Sequence, residues 1–204
     1  MKKKIIFIAA ARPNFMKIGP ILNGLQNHAK FEPLLVHTGQ HYDKNMSDTF
    51  FEQLSIPHPN VHLEIGSGSH AEQTGKTMIA FEKVCQAEKP DLVVVVGDVN
   101  ATAACAITAK KCHIQVAHIE AGLRSFDRNM PEEINRLVTD SISDILFTTC
   151  SEANEQLIKE GLPKEKITLS GNLMIDTLLN QKEKAKENNY HQNLNLSKNN
   201  YILL

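Results

Sequence analysis

Short, solidly apolar runs alternate along the chain with longer stretches whose apolar residues recur at helical spacing. Ile5-Ile6-Phe7-Ile8-Ala9 is the first such run and Pro33-Leu34-Leu35-Val36-His37 the second. Residues 61–65 alternate, Leu92-Val93-Val94-Val95-Val96 is the strongest run, and residues 114–119 and 144–148 follow. Residues 166–169 form the weakest. Continuous rather than alternating Val and Ile predict strands covered on both faces. Between them, residues 20–29 place Ile21, Leu22 and Leu25 on one helical face, with Gly19-Pro20 expected to disturb the first turn. Residues 47–54 open on Ser47, an N-cap type, and residues 71–87 carry Met78, Ile79, Phe81 and Val84. Residues 100–111 are Ala-rich and end in Lys110-Lys111, favourable at a helix C-terminus. Pro131-Glu132-Glu133 puts Pro at the first helical position and acids in the first turn. Ser151 opens a further helix that stops at Gly161, and residues 173–186 form the last.

Strand and helix alternate about every 25 residues, which predicts βαβ units and right-handed crossovers. The fold class is therefore α/β, a Rossmann-like three-layer αβα domain on a parallel sheet of about seven strands. That domain takes residues 1–187. Residues 188–200 are rich in Asn and poor in apolar side chains and read as a linker, after which Tyr201-Ile202-Leu203-Leu204 resembles the first strand of a second domain. The 204 residues carry 42% hydrophobic and 22% charged side chains, enough to bury a core. A net charge of −1 argues against a polycation built to hold nucleic acid. No apolar stretch approaches the ~18 residues that span a bilayer. Met1-Lys2-Lys3-Lys4 has the charge of a signal n-region, but the run after it is short and ends at Arg12-Pro13, so it reads as a strand. Cys85, Cys105, Cys112 and Cys150 show neither a C-x-x-C pair nor zinc spacing and read as thiols of a reducing cytoplasm, three of them buried. The nine histidines form no H-E-x-x-H or similar cluster, which argues against a protein-built metal site.

In open parallel sheets ligands bind beyond the carboxyl ends of the strands, so the segments after each strand carry the candidate chemistry. After the first strand, Arg12 and Lys17 bracket a strand-to-helix turn where an anion would be attracted, without any G-x-G-x-x-G. Two solvated surface charges are the alternative. After the second strand, Gln40, His41 and Asp43 can contact sugar hydroxyls, or simply form a polar loop. Asp98 follows four valines at the mouth of the cleft, where partial desolvation suits a general acid or base; a helix N-cap is its alternative role. Glu120 also stands at a strand end, with an ion pair to Arg124 as the alternative. Glu132 and Glu133 sit in a first helical turn, where the macrodipole alone would favour them. Carboxylates on several loops of one edge, beside an anion clamp, suit proton transfer on a phosphorylated or nucleotide-linked substrate.

Arg12-Pro13-Asn14-Phe15-Met16-Lys17, Gly39-Gln40-His41-Tyr42-Asp43, Gly97-Asp98-Val99-Asn100, His118-Ile119-Glu120-Ala121-Gly122-Leu123-Arg124, Pro131-Glu132-Glu133-Ile134-Asn135-Arg136 and Ser170-Gly171-Asn172 occur in this order. This set resembles the UDP-N-acetylglucosamine 2-epimerases of the non-hydrolysing bacterial type. The resemblance implies the N-terminal half of a glycosyltransferase-B-like fold, with a cleft completed by a second domain. It implies interconversion of UDP-GlcNAc and UDP-ManNAc by elimination of UDP to a 2-acetamidoglucal and re-addition from the other face. The matching catalytic positions are Asp98, Glu120 and Glu132. Arg12 and Lys17 match the diphosphate side, with His41 beside them as a substrate contact and Gln40 at a second, regulatory UDP-GlcNAc site. The resemblance implies no nicotinamide, metal or other cofactor, a missing C-terminal domain as partner, and pairing of two copies. It implies no membrane or nucleic-acid partner.

Ala10-Ala11-Arg12-Pro13-Asn14 stands where many family members have G-T-R-P-E, and residues 66–70 lack an arginine that some members place there for the regulatory ligand. A catalytically silent nucleotide-sugar-binding module and a hydrolysing relative that releases ManNAc and UDP are the competing readings.

Overall fold

Seven strands line up in the order β3-β2-β1-β4-β5-β6-β7. They are β1 Lys3–Ala9, β2 Phe31–His37, β3 Val61–His62, β4 Leu92–Val96, β5 Gln115–Ala121, β6 Ile145–Thr148 and β7 Ile167–Leu169. Every neighbouring pair is parallel. The structure is a computed structural model that describes residues 2–39, 51–52, 55–187, 194–197 and 200–201. The helices with described bounds are α1 Arg12–Leu25, α2 His70–Glu88, α3 Asn100–Lys111, α4 Pro131–Ile142, α5 Ser151–Lys159 and α6 Leu173–Glu187. The order of winding reverses between β1 and β4, and the crevice at that reversal is where such sheets take ligands.

Successive strand residues point to opposite faces, and the core divides accordingly. Ile5, Phe7, Leu35, Val94, Val96 and Ile119 pack with Phe15, Ile18 and Leu22 of α1. Ile6, Ile8, Val36, Val93, Val95 and Val116 pack with Phe81 of α2 and Cys105, Ala106 and Ala109 of α3. Phe81 is fully buried, worth about 1.5–3 kcal/mol for a side chain of that class. The small residues of α3 let it lie close on the sheet, and β4 and α3 run over the expected residues. In α2, Ser69 Oγ accepts from the Glu72 amide at 3.2 Å and the Glu72 carboxylate accepts from the Ser69 amide at 2.9 Å, a reciprocal cap.

Several expectations are corrected. The first helix runs over Arg12–Leu25 rather than 20–29, with Pro20 inside it. Proline leaves the carbonyl four residues earlier without its helical partner. The Thr177 hydroxyl of α6 donates to that carbonyl, on Met16, so the helix continues. The third strand ends at His62 because Glu64 takes a left-handed φ of 53°. The chain then follows β2 outward, with Ile65 N bonded to Thr38 O and Gly66 N to Gly39 O. Cys85 and Cys105 are buried, whereas Cys112 and Cys150 are half-buried, and all four are free. Of the helix expected over 47–54, only helical Phe51 and Glu52 are described. The linker and second-domain start, 188–204, lie largely outside the described residues.

Candidate active site

The carboxyl edge of β1, β4 and β5 is assembled by one small side chain. Asn14, in the first turn of α1, accepts from the amides of Ala10 (3.2 Å) and Ala11 (2.9 Å). Its amide donates 3.2 Å to the Val96 carbonyl at the end of β4. That bond set fixes the β1–α1 turn to the adjacent strand, and Lys17 follows one turn further along α1. Its ammonium pairs with the Glu120 carboxylate. Both side chains are 16% exposed, enough for a ligand to reach them. Gly97 lies directly beside the pair, with a left-handed φ of 68°. A Cβ at Gly97 would stand 3.5 Å from Glu120 Oε2 and 3.8 Å from Lys17 Nζ.

Glu120 has a φ of 69°, in the region that L side chains rarely occupy. It sits where the β5–β6 register shifts between Ile119 and Ala121. Such a backbone costs on the order of 1–3 kcal/mol and re-aims the side chain at the strand end. Its ion pair is to Lys17 and not to Arg124, which corrects the alternative drawn from sequence. Arg124 is buried and spans Asp140 (2.7 Å) and Glu160 (2.6 Å).

Asp98 does not cap α3. The N-cap is Val99, with no side-chain hydrogen bond. Asp98 Oδ2 instead accepts from Arg136 Nε at 3.0 Å and Nη2 at 2.6 Å, while Asn135 Nδ2 donates 2.8 Å to the Asp98 carbonyl. Arg136 Nη1 also reaches Glu133 at 2.8 Å. The adjacent glutamates thus separate by environment. Glu133 is buried and accepts from the amides of Ser125 (3.0 Å) and Phe126 (3.1 Å) and from the Ser125 hydroxyl. Burial pushes its carboxyl up, but those donors and Arg136 outweigh burial and hold it below the ordinary glutamate value. Glu132 is half-buried and carries no ion pair or side-chain hydrogen bond among the described residues. Arg12 is exposed at the first residue of α1. Gln40 and His41 lie outside the described residues.

Sequence reasoning missed a buried network behind this edge. His118 is fully buried, with Nδ1 2.6 Å from Asp140 Oδ1 and Nε2 2.8 Å from the Gly97 carbonyl. The Gly122 amide donates 3.1 Å to Asp140 Oδ2. Burial pushes the Asp140 carboxyl up, while His118 and Arg124 pull it down further, leaving it below the ordinary aspartate value. No local signal marked it, because the buried positions of α4 are Glu133, Thr139 and Asp140, and a polar residue on that face is not distinctive. Among the described residues no group of three His, Cys, Asp or Glu side chains is placed to hold a metal ion. No helix among them is long and apolar enough to cross a membrane.

A family model described as UDP-N-acetylglucosamine 2-epimerase matches residues 23–204. The chain belongs to this family. It is 48% identical over 202 residues to the UDP-N-acetylglucosamine 2-epimerase homolog of Methanococcus maripaludis, covering 98% of this chain and 56% of that relative. It is 46% identical over 178 residues to the UDP-2,3-diacetamido-2,3-dideoxy-D-glucuronate 2-epimerase of Pseudomonas aeruginosa, covering 86% and 50%. The Methanocaldococcus jannaschii UDP-GlcNAc 2-epimerase, solved in complex with UDP-GlcNAc and UDP, superposes with a TM-score of 0.89 at 46% identity, over 94% of this chain and 52% of that one. The α/β sandwich is thus that of the 2-epimerase family, and the chain spans about half the length of the relatives it matches.

Proposed function

We propose that this chain is the carboxylate-bearing half of a UDP-GlcNAc 2-epimerase, which interconverts UDP-GlcNAc and UDP-ManNAc. The observation that carries this reading is the Lys17–Glu120 pair at the β1/β4 switch, beside Asp98, in a chain of the 2-epimerase family. In the first step a carboxylate takes the C2 proton as the C1–O bond breaks. The electron pair of that bond leaves with UDP, and the C2 electrons close the double bond of a 2-acetamidoglucal. Return of a proton to the opposite face of C2, with re-attack of UDP on C1, completes the inversion without net redox change. Glu120, Asp98 and Glu132 are the acid/base groups. Arg12 and Lys17 offer positive charge to the diphosphate at a helix N-terminus, and Gln40 and His41 complete the substrate contacts. The half-buried state of Glu132, with no ion pair or side-chain hydrogen bond among the described residues, supports it over Glu133 as a proton-transfer group.

The domain organisation belongs to the same reading: residues 1–187 as one lobe, 188–200 as a linker, and 201–204 as the start of a second lobe that completes the cleft. Two copies pair through this lobe. Four free cysteines are consistent with work in the cytoplasm. A similarity to the diacetamido-glucuronate epimerase supports a second reading, in which the sugar carries a further acetamido group and a carboxylate.

The reaction is followed by proton NMR in deuterated water, with the chain alone and with the second half of the Methanocaldococcus jannaschii enzyme added. Orientation of reactants between two lobes is worth an effective molarity of ~10⁵–10⁸ M, so the chain alone is expected to show no turnover. The mixture is expected to give UDP-ManNAc with deuterium at C2. Free ManNAc with UDP would assign a hydrolysing enzyme. Turnover only of the diacetamido-glucuronate nucleotide would assign the second reading.

A further inference from the structure

His118 touches the two strand ends that bear Asp98 and Glu120, yet the reaction gives it nothing to do. Its ring is fully buried, so it meets no substrate. Nε2 lies 2.8 Å from the Gly97 carbonyl, and that carbonyl belongs to the peptide bond entering Asp98. Nδ1 lies 2.6 Å from Asp140 Oδ1. The other Asp140 oxygen takes the Gly122 amide at 3.1 Å and Arg124 at 2.7 Å. The strained residue Glu120 is therefore flanked on both sides, at His118 and at Gly122, by groups tied to one buried carboxylate. Gly122 has no room for a side chain, since a Cβ there would come 2.5 Å from the Ala153 carbonyl oxygen.

We propose that His118 and Asp140 are positioning residues, which set the spacing of the Asp98 and Glu120 carboxylates and hold Glu120 in its left-handed conformation. The assignment of those two carboxylates rests on the epimerase reading; the geometry of the clamp does not. A left-handed backbone outside glycine persists only where its surroundings over-determine it. A carbonyl only accepts, so Nε2 carries a hydrogen. A second hydrogen lies between Nδ1 and the Asp140 carboxylate, because two acceptors at that distance repel. One imidazole thus spaces two loops by two short bonds in a buried site, where hydrogen bonds are stronger than in water.

The two arms separate by substitution. A glutamine amide nitrogen reaches about where Nε2 stands, so His118→Gln keeps the Gly97 bond and loses the Asp140 bond. An asparagine amide nitrogen reaches about where Nδ1 stands, so His118→Asn does the reverse. The readout is NMR of this chain without substrate. A positive φ brings a residue's amide and α hydrogens close, giving a strong intraresidue NOE. In His118→Gln the Glu120 NOE is expected to fall several-fold while the Gly97 and Asp98 amides stay in place. In His118→Asn those amides are expected to shift while the Glu120 NOE persists. An unchanged NOE and unchanged amides in both folded variants would overturn the proposal. Should neither variant fold, the unmodified chain decides. Two slowly exchanging ring N–H resonances are expected for His118, and the absence of either contradicts the clamp. None of these signals requires turnover, so a failed epimerase assay leaves them readable and their failure leaves the assay intact.

Discussion

Asp98 and Glu120 stand at the ends of neighbouring strands and are held by opposite means. Glu120 follows a strained backbone braced from behind by His118, Asp140 and Arg124, whose side chains are 1–2% exposed. Asp98 has no left-handed backbone of its own, the left-handed position before it being taken by Gly97, and it is held from the front by Arg136, with the two side chains 30% and 17% exposed. A buried brace cannot rearrange without breaking costly bonds, whereas a half-exposed ion pair exchanges cheaply with water or a ligand. The comparison suggests a division of labour. One carboxylate is fixed in advance, with its strain offset by the fold, and the other is free to change partner as charge develops.

The comparison breaks most severely at Asp140. Asp140→Ala leaves Arg124 and His118 buried without their shared anion, and is expected to cost about 3–5 kcal/mol in urea unfolding. A loss below 1 kcal/mol would show that the brace is not under load. A further buried ring, His37 at the end of β2, sharpens the contrast through pH. Burial and the neighbouring His62 lower its pKa from the ordinary 6.5 to about 4. The folded chain therefore resists protonation that the unfolded chain accepts. The stabilisation is fully present above pH 6.5 and is lost as pH falls toward 4, by on the order of 2–3 kcal/mol. Thermal unfolding of the parent is expected to fall steeply over that window, and of His37→Phe to fall less. Equal slopes would refute the assignment.

The adjacent glutamates give the next test. Glu133→Gln puts an amide nitrogen against donors in a buried site and is expected to cost about 1–3 kcal/mol. Glu132→Gln is expected to stay within about 0.5 kcal/mol of the parent. If both cost the same, the sorting of the pair by environment fails. Asp98→Asn loses a partly exposed ion pair and is expected to cost only about 0–1 kcal/mol. A loss comparable to that of Asp140→Ala would erase the difference between the two strand ends.

The strands and helices most legible in the sequence are those whose local signals agree with the fold. Four consecutive valines mark β4, and alanine-rich Asn100–Lys111 was recognisable as a helix from end to end. Pro131 announced the start of α4. The beginning of α1 was hidden because Pro20 argues locally against a helix, and its remedy, the Thr177 hydroxyl on the Met16 carbonyl, spans 161 residues. Strand-end logic placed Asp98, Glu120 and Lys17 on one edge, but not the contacts they make. Lys17 meets Glu120 across 103 residues, and only the folded sheet brings them together. The His118–Asp140 pair was invisible for the same reason, since neither residue alone departs from what a strand or an amphipathic helix tolerates. The resemblance singled out Glu132, but that its neighbour Glu133 is buried and held by Ser125, Phe126 and Arg136 shows only in the folded chain.

The most direct test of the account is a titration of the isotope-labelled chain with UDP-GlcNAc, followed at backbone amides and at Lys17 Nζ. Arg12 to Lys17, Gly97 to Asn100 and Glu120 are expected to shift together, and the Lys17 ammonium signal to move as the diphosphate competes with Glu120. Shifts confined to another face of the sheet, with Lys17 and Glu120 unmoved at saturation, would contradict it.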